Sequence, residues 1–191
     1  MKSICVFCSS SNSIDDVYFE TAKDLGHRIG ELGFNLVYGG GSIGLMGAVA
    51  RATHEKGGRV IGVIPKFFIE KDKDFEYGEA DELIIVETMR IRKAIMDERA
   101  DAFISLPGGI GTLEEAIEIM SMKQLGLTDK PLVFINTNNF YDDLMSNLRK
   151  MVSLKFAKSS TLDLFSVCPD PFSALELIFS YQPKKIDNKW L

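Results

Sequence analysis

The residues best suited to chemistry in this chain are Leu106-Pro107-Gly108-Gly109-Ile110-Gly111-Thr112-Leu113-Glu114-Glu115. Glycines let a backbone turn several N–H groups toward one point, and a helix starting there adds a partial positive charge. An anion at such a place gains up to about 2 kcal/mol from the helix end in a partly buried geometry. Each hydrogen bond to a charged group contributes a further ~1.5–3 kcal/mol. On those terms a phosphate monoester is anchored without a dedicated lysine. The same stretch also fits a structural role: Thr112-Leu113-Glu114-Glu115 matches a capping box, with Thr112 as N-cap and Glu115 reaching back to its amide. A cap accepts Gln at that place and a catalytic carboxylate does not, so Glu115→Gln separates the two.

A second glycine loop, Gly39-x-Gly41-x-x-Gly44, fits the dinucleotide fingerprint between a strand and a helix. That fingerprint also wants an acidic residue about 20 positions on, at the end of the next strand. Here the place is taken by Ile61-Gly62-Val63-Ile64-Pro65-Lys66, without a carboxylate. A nicotinamide dehydrogenase is therefore disfavoured, and glycines that only permit a tight turn remain an alternative. No G-x-x-x-x-G-K-[ST] loop exists, which excludes a P-loop ATPase or GTPase. In Met89-Arg90-Ile91-Arg92-Lys93-Ala94 the basic residues, taken alone, read as a solvated helix face. Cys5 and Cys8 spell C-x-x-C, but inside a strand residues three apart face opposite ways, so a structural role is expected for both. His27 and His54 fall in the middle of helical stretches and read as surface or packing residues. No metal and no cofactor are expected.

The elements that must position these residues alternate regularly. Short β-branched runs predict strands over residues 4–8, 35–38, 60–64, 82–86, 102–106, 132–135 and 164–167. Apolar residues near a 3.6-residue period predict helices over 15–32, 44–56, 89–100, about 110–125, 140–151 and 171–179. Residues 66–80 are charged and aromatic without a period and read as a long loop. Strands alternating with helices argue for βαβ units. The expectation is one doubly wound, mostly parallel α/β domain over residues 1–181, Rossmann-like, with helices on both faces and a loosely ordered polar tail over 182–191. Such sheets bind ligands beyond the carboxyl ends of their strands, where both glycine loops fall.

At 191 residues the chain suits one domain and needs neither metal nor disulfides to hold a core. Charged residues at 26% and hydrophobic ones at 46% exclude a disordered chain. The sum of 22 Lys+Arg against 27 Asp+Glu is −5, a poor footprint for DNA or RNA, so an anionic ligand needs a local site. Three cysteines point to a reducing compartment. The N-terminus does not read as a signal peptide, and no apolar run approaches the ~18 residues of a membrane span. A soluble, cytoplasmic protein is expected.

The motif Pro107-Gly108-Gly109-x-Gly111-Thr112-x-x-Glu115 resembles the P-G-G-x-G-T-x-x-E signature of LOG-type proteins, the cytokinin-activating nucleotide phosphoribohydrolases, once named lysine decarboxylases. Other hallmarks follow in order: Val6-Phe7-Cys8 before serines, Gly39-Gly40-Gly41 before Gly44-Leu45-Met46-Gly47, Met89-x-x-Arg92-Lys93, and Gln124-Leu125-Gly126 before Lys130-Pro131. The resemblance spans roughly residues 3–180. It implies hydrolysis of the N-glycosidic bond of an adenine-type nucleoside 5′-monophosphate, giving free base and ribose 5-phosphate. It implies that Arg92 and Glu115 are catalytic. It further implies that Gly109, Ile110, Gly111 and Thr112 cradle the phosphate, and that Gly108, Lys93, Leu113, Glu114, Ser121, Gly41 and Met89 belong to the same nucleotide site. A homodimer is also implied. The chain departs from the family at Phe67, at Arg90-Ile91, at Ser121 and at Met122, all on the side expected to recognise the base.

Such a reaction builds positive charge on the ribose carbon, as glycosidases do. A carboxylate beneath the ribose, Glu115, stabilises that charge and aligns or deprotonates the attacking water. Arg92 then orients Glu115, binds phosphate or assists departure of the base. The rival expectation is a non-catalytic nucleotide-like cofactor carrier of the same fold group, such as a molybdenum-cofactor carrier.

Overall fold

Strands that are apolar on both sides dictate the architecture. Along β1 (Ser3–Phe7), Ile4 and Val6 enter one core while Cys5 and Phe7 enter another, because alternate side chains of a strand point to opposite faces. β2 (Asn35–Tyr38) divides the same way, with Leu36 and Tyr38 on the first side and Val37 on the second. A sheet of this kind must be covered on both faces. The computed structural model describes residues 2–72 and 75–183.

Five further strands complete the sheet among the described residues: β3 (Val60–Pro65), β4 (Glu82–Val86), β5 (Ala102–Ser105), β6 (Leu132–Ile135) and β7 (Ser166–Cys168). Their order is β4-β3-β2-β1-β5-β6-β7, and every pairing is parallel. Helices α1 (Asp16–Glu31), α2 (Gly44–Glu55) and α7 (Pro171–Phe179) cover one face through Leu25, Ile29, Val49 and Ile178. The other face is covered by α4 (Met89–Arg99), α5 (Ile110–Gln124) and α6 (Asp142–Ser153), through Met96, Ala116, Ile119 and Leu148. This is a doubly wound, Rossmann-like α/β fold.

The chain builds outward from β1 to β4, then returns to place β5 against the free side of β1. That reversal is the topological switch point, where open α/β sheets bind ligands. It brings the loop after β1 beside the loop after β5: Leu106 N donates to Phe7 O at 2.9 Å, and Ser9 N to Pro107 O at 3.3 Å. The Tyr141 hydroxyl sits against the end of β5, donating to Leu106 O at 2.6 Å. Cys5 and Cys8 are both free thiols, and they serve opposite cores.

Residues 66–80 are not one long loop. They begin with a short helix, α3 (Lys66–Lys71), and residues 75–80 form a strap along the first glycine loop. Ser42 N donates to Phe75 O at 2.7 Å and Tyr77 N to Gly40 O at 2.9 Å, with an antiparallel bridge between Gly41 and Glu76. His54 ties the strap to α2, with ring nitrogens 2.9 Å from the Tyr77 hydroxyl and 2.8 Å from Asp81 Oδ2. Aromatic packing rather than helical periodicity organises the segment: Phe67 meets Phe68 and Phe68 stacks on Phe75. Smaller differences fall at ends. A 3₁₀ turn, Thr137–Asn139, precedes α6, and the last strand lies at Ser166–Cys168 rather than 164–167. Of the expected tail, residues 184–191 lie outside the described residues, and with them Lys184, Lys185 and Trp190. Among the described residues no helix is long and apolar enough to cross a membrane.

Candidate active site

Thr88 starts the helix that carries Arg92. Its hydroxyl accepts from Ile91 N at 3.2 Å, satisfying one of the amides that a helix start leaves unpaired. One turn on, Arg92 is only 8% exposed, and a buried cation needs partners. Its Nε donates to Val63 O at 3.0 Å and its Nη1 to Glu115 Oε1 at 2.5 Å. The third nitrogen lies against Gly39, where an added Cβ would stand 2.0 Å from Nη2. Glycine at 39 is thus required by the approach of the guanidinium. Gly39→Ala is expected to cost about 1–3 kcal/mol of stability by overpacking and to lower turnover by displacing Arg92. Denaturation and rate measurements on the variant check this, and unchanged values in both would contradict it.

Helix α5 begins where the sequence predicts, at Ile110, and not behind a Thr112 cap. Gly109 is the N-cap, in extended backbone, and Leu113 N closes onto Gly109 O at 3.1 Å. The amides of Ile110, Gly111 and Thr112 therefore precede the helical ladder and lack carbonyl partners within it. Thr112 is not the cap. Its side chain is buried beneath Gly108, where a Cβ would come within 2.1 Å of Thr112 Oγ1. The capping box is accordingly absent, and Glu115 has no part in satisfying the helix end.

Glu115 lies one turn inside α5, where helical side chains lean toward the N-terminus. It too is 8% exposed. Burial raises its pKa, the Arg92 charge and hydrogen bond draw it back, and the net value stands above that of an ordinary glutamate. The folded chain therefore holds this proton to higher pH than the unfolded chain does. Stability from this group is fully present below the unfolded value and is lost as pH rises through the folded one.

A cavity of about 410 Å³ opens beside the pair, within the ~300–1,000 Å³ typical of small-molecule sites. Arg92, Glu115 and the run from Gly109 to Thr112 line one part of it. Residues 8–11, the turn that follows β1, and Gly39 line another, and Met46, Phe68, Phe75 and Met89 supply an apolar part. A larger depression of about 550 Å³, bordered by Gln124, Phe156 and Lys158, contains no such buried ion pair. Among the described residues no group of three or more His, Cys, Asp or Glu side chains is placed to hold a metal.

The geometry thus gathers Arg92, Glu115, Met89, Gly109, Ile110, Gly111 and Thr112 at one cavity. It does not bring Lys93, Leu113, Glu114 or Ser121 to that lining. Lys93 spans from α4 to the outer face of α5, bonding Glu114 and, at 3.0 Å, Glu118, so the like charges one turn apart on α5 share a cation. Glu118 is correspondingly a paired residue rather than a merely solvated one. Leu113 packs on the core, and Ser121 donates to Ile117 O on an exposed surface. Gly108 backs Thr112, and Gly41 backs Met46 and Phe75, so both shape the cavity from behind. Sequence reasoning missed Phe68 and Phe75 as lining residues. Their signal was the concentration of Phe67, Phe68, Phe75 and Tyr77 in a stretch too long to be a structureless loop.

A family described as "Possible lysine decarboxylase" matches residues 46–178. Over 186 residues the chain is 41% identical to cytokinin riboside 5′-monophosphate phosphoribohydrolase LOG2 of Arabidopsis thaliana, with 97% of this chain and 86% of that protein covered. The chain belongs to the LOG family. Another Arabidopsis thaliana member, LOG5, carries the same enzyme name and is 42% identical over 183 residues, covering 95% of this chain and 79% of its own. The LOG-family fold extends further. A molybdenum cofactor binding protein from Rippkaea orientalis superposes with a TM-score of 0.71 at 22% identity, covering 94% of this chain and 97% of that one. The molybdenum cofactor carrier protein of Chlamydomonas reinhardtii gives 0.69 at 21% identity, over 94% and 99% of the two chains. As for decarboxylation, a pyridoxal enzyme needs a Schiff-base lysine, and among the described residues the cavity of this LOG-family chain is lined by none.

Proposed function

We propose that this chain hydrolyses the N-glycosidic bond of an adenine-type nucleoside 5′-monophosphate, a cytokinin riboside monophosphate or AMP, to free base and ribose 5-phosphate. The observation that carries the reading is the buried Arg92–Glu115 pair at 2.5 Å, lining the same cavity as the unladdered amides of α5. The amides of Ile110, Gly111 and Thr112 receive the 5′-phosphate, where helix end and amides together favour an anion. Holding that group fixes the ribose, and positioning of this kind lowers a barrier by several kcal/mol, up to about 11 in the best cases. Glu115 faces the anomeric carbon. As the bond to the base breaks, its carboxylate stabilises the positive charge on the ribose and accepts a proton from the incoming water. The water's hydroxyl ends on the anomeric carbon, and the proton that Glu115 took passes on, directly or through water, to the departing base nitrogen, which restores the carboxylate. Arg92 holds Glu115 in place through one nitrogen and is itself held by Val63 O through another.

The curated relatives' names favour the enzyme reading, and the fold likeness to cofactor carriers favours a second, non-catalytic one. Incubation with AMP and with isopentenyl-AMP, followed by chromatography for free base, separates them. Hydrolysis predicts base and ribose 5-phosphate in equal amounts; a carrier predicts protection from melting with no base released. A homodimer belongs to the proposal as well. Ile110, Ile117 and Leu125 are exposed at helical spacing along one side of α5, a stripe suited to a second copy. Light scattering that returned the mass of one chain would remove that part.

A further inference from the structure

We propose that Phe68 and Phe75 form the wall against which the base of the nucleotide stacks, and so supply the affinity for the base as distinct from the ribose phosphate. The inference rests on the phosphate and Glu115 placements proposed above. With the phosphate at the start of α5 and the anomeric carbon at Glu115, two parts of the cavity remain, the turn of residues 8–11 with Gly39 and the apolar part, and a flat aromatic base suits the apolar one. There Phe68 and Phe75 stack with ring centroids 4.9 Å apart and planes 8° from parallel. Aromatic faces of this kind bind any base through its π-face.

Among the described residues, the lining offers no unpaired charged side chain that could read a base. Its charged side chains, Arg92 and Glu115, are bonded to each other. The base is then held by stacking, with Met46 beside Phe75: a Cβ on Gly41 would stand 2.5 Å from Met46 Cε and 3.4 Å from Phe75 Cε1.

The wall is also held before any ligand arrives. Phe75 is fixed through its carbonyl, which accepts from Ser42 N at 2.7 Å, and the next turn of strap by Tyr77 N to Gly40 O. Phe68 is fixed by Phe67, with centroids 4.2 Å apart. The first glycine loop therefore serves the site by carrying the strap and giving room to Arg92, not by wrapping a dinucleotide.

The test measures binding of AMP and of ribose 5-phosphate by calorimetry, in the full chain carrying Glu115→Gln to suppress turnover. Adding Phe75→Ala is expected to weaken AMP about 5- to 150-fold, the span of a lost base–aromatic contact, and to leave ribose 5-phosphate within about 2-fold. Phe75→Tyr, which keeps the face, is expected to restore AMP binding, and Phe68→Leu to weaken AMP selectively. Parallel weakening of both ligands, or no change in either, overturns the wall. The reading beneath it fails differently: if the unsubstituted chain binds AMP yet releases no base, hydrolysis is wrong while the stacking comparison still stands. Base release with a KM for AMP indifferent to Phe75→Ala sinks the wall and spares hydrolysis.

Discussion

Glu115→Gln is expected to lower kcat by about 10²- to 10⁴-fold, the range for removing a general base or a transition-state charge partner. Some stability is lost because the buried guanidinium gives up its counter-charge, but less than on removing a partner outright, because the amide keeps an oxygen that accepts from Arg92 Nη1 where Glu115 Oε1 did. Burial already resists the charged carboxylate, so a neutral side chain is tolerated in the same space. The split between rate and stability is what matters. A residue whose work was to cap α5 would tolerate Gln with activity intact, and the cap of that helix is Gly109. Steady-state rates and denaturation curves on the purified variant read both quantities. Activity near that of the unsubstituted chain would leave the mechanism without its carboxylate.

Arg92→Met should damage the fold more heavily, along with the reaction. Removing one member of a buried ion pair costs about 3–5 kcal/mol, because the other charge is left without compensation. Both side chains are 9% exposed, so solvent relieves little of this. The loss depends on pH with a definite sign. Arg92 is what draws the Glu115 pKa down against burial, so without it the folded value rises further while the unfolded value stays. Between those two values the folded chain binds the proton and the unfolded chain has released it, so the variant loses stability as pH rises. Denaturant midpoints at acidic and neutral pH check the slope. Converting both partners, Arg92→Met with Glu115→Met, should recover most of the stability and none of the activity, as apolar replacement of a buried pair is often neutral. A single variant equally stable at both pH values would argue that the carboxylate is not buried as described.

Much of the fold was legible because it rests on local pattern. β2, β4, β6 and α7 were read at the limits they have, since each is a short apolar run or a periodic stretch bounded by glycine, proline or a polar cap. The capping-box reading of α5 fails although Thr112 has the side chain of an N-cap, because what decides is the pocket beneath Gly108 that takes that side chain. Sequence spacing cannot show that pocket. Residues 66–80 were misread for a related reason. Their order comes from aromatic contacts and from backbone bonds to Gly40 and Ser42 more than thirty positions away, which leave no period to detect.

The site divides along the same line. The amides at the start of α5 were legible from glycines before a helix, whereas the place of Glu115 one turn on fitted a cap equally well and only the family resemblance singled it out. Arg92 on its own looked like part of a solvated basic face. Its pairing with Glu115, 23 positions distant, follows from packing α4 beside α5 on one side of the sheet. Lys93, Glu114 and Ser121 were expected at the nucleotide, yet their side chains leave α4 and α5 on the faces turned from the cavity.

A crystal structure of the Glu115→Gln variant with AMP addresses the central claim most directly. The account predicts the 5′-phosphate within hydrogen-bonding distance of the amides of Ile110, Gly111 and Thr112, with the residue-115 side chain against the anomeric carbon. A phosphate seated instead on the loop of Gly39, Gly40 and Gly41, or a ribose turned so that residue 115 meets no sugar atom, would contradict it.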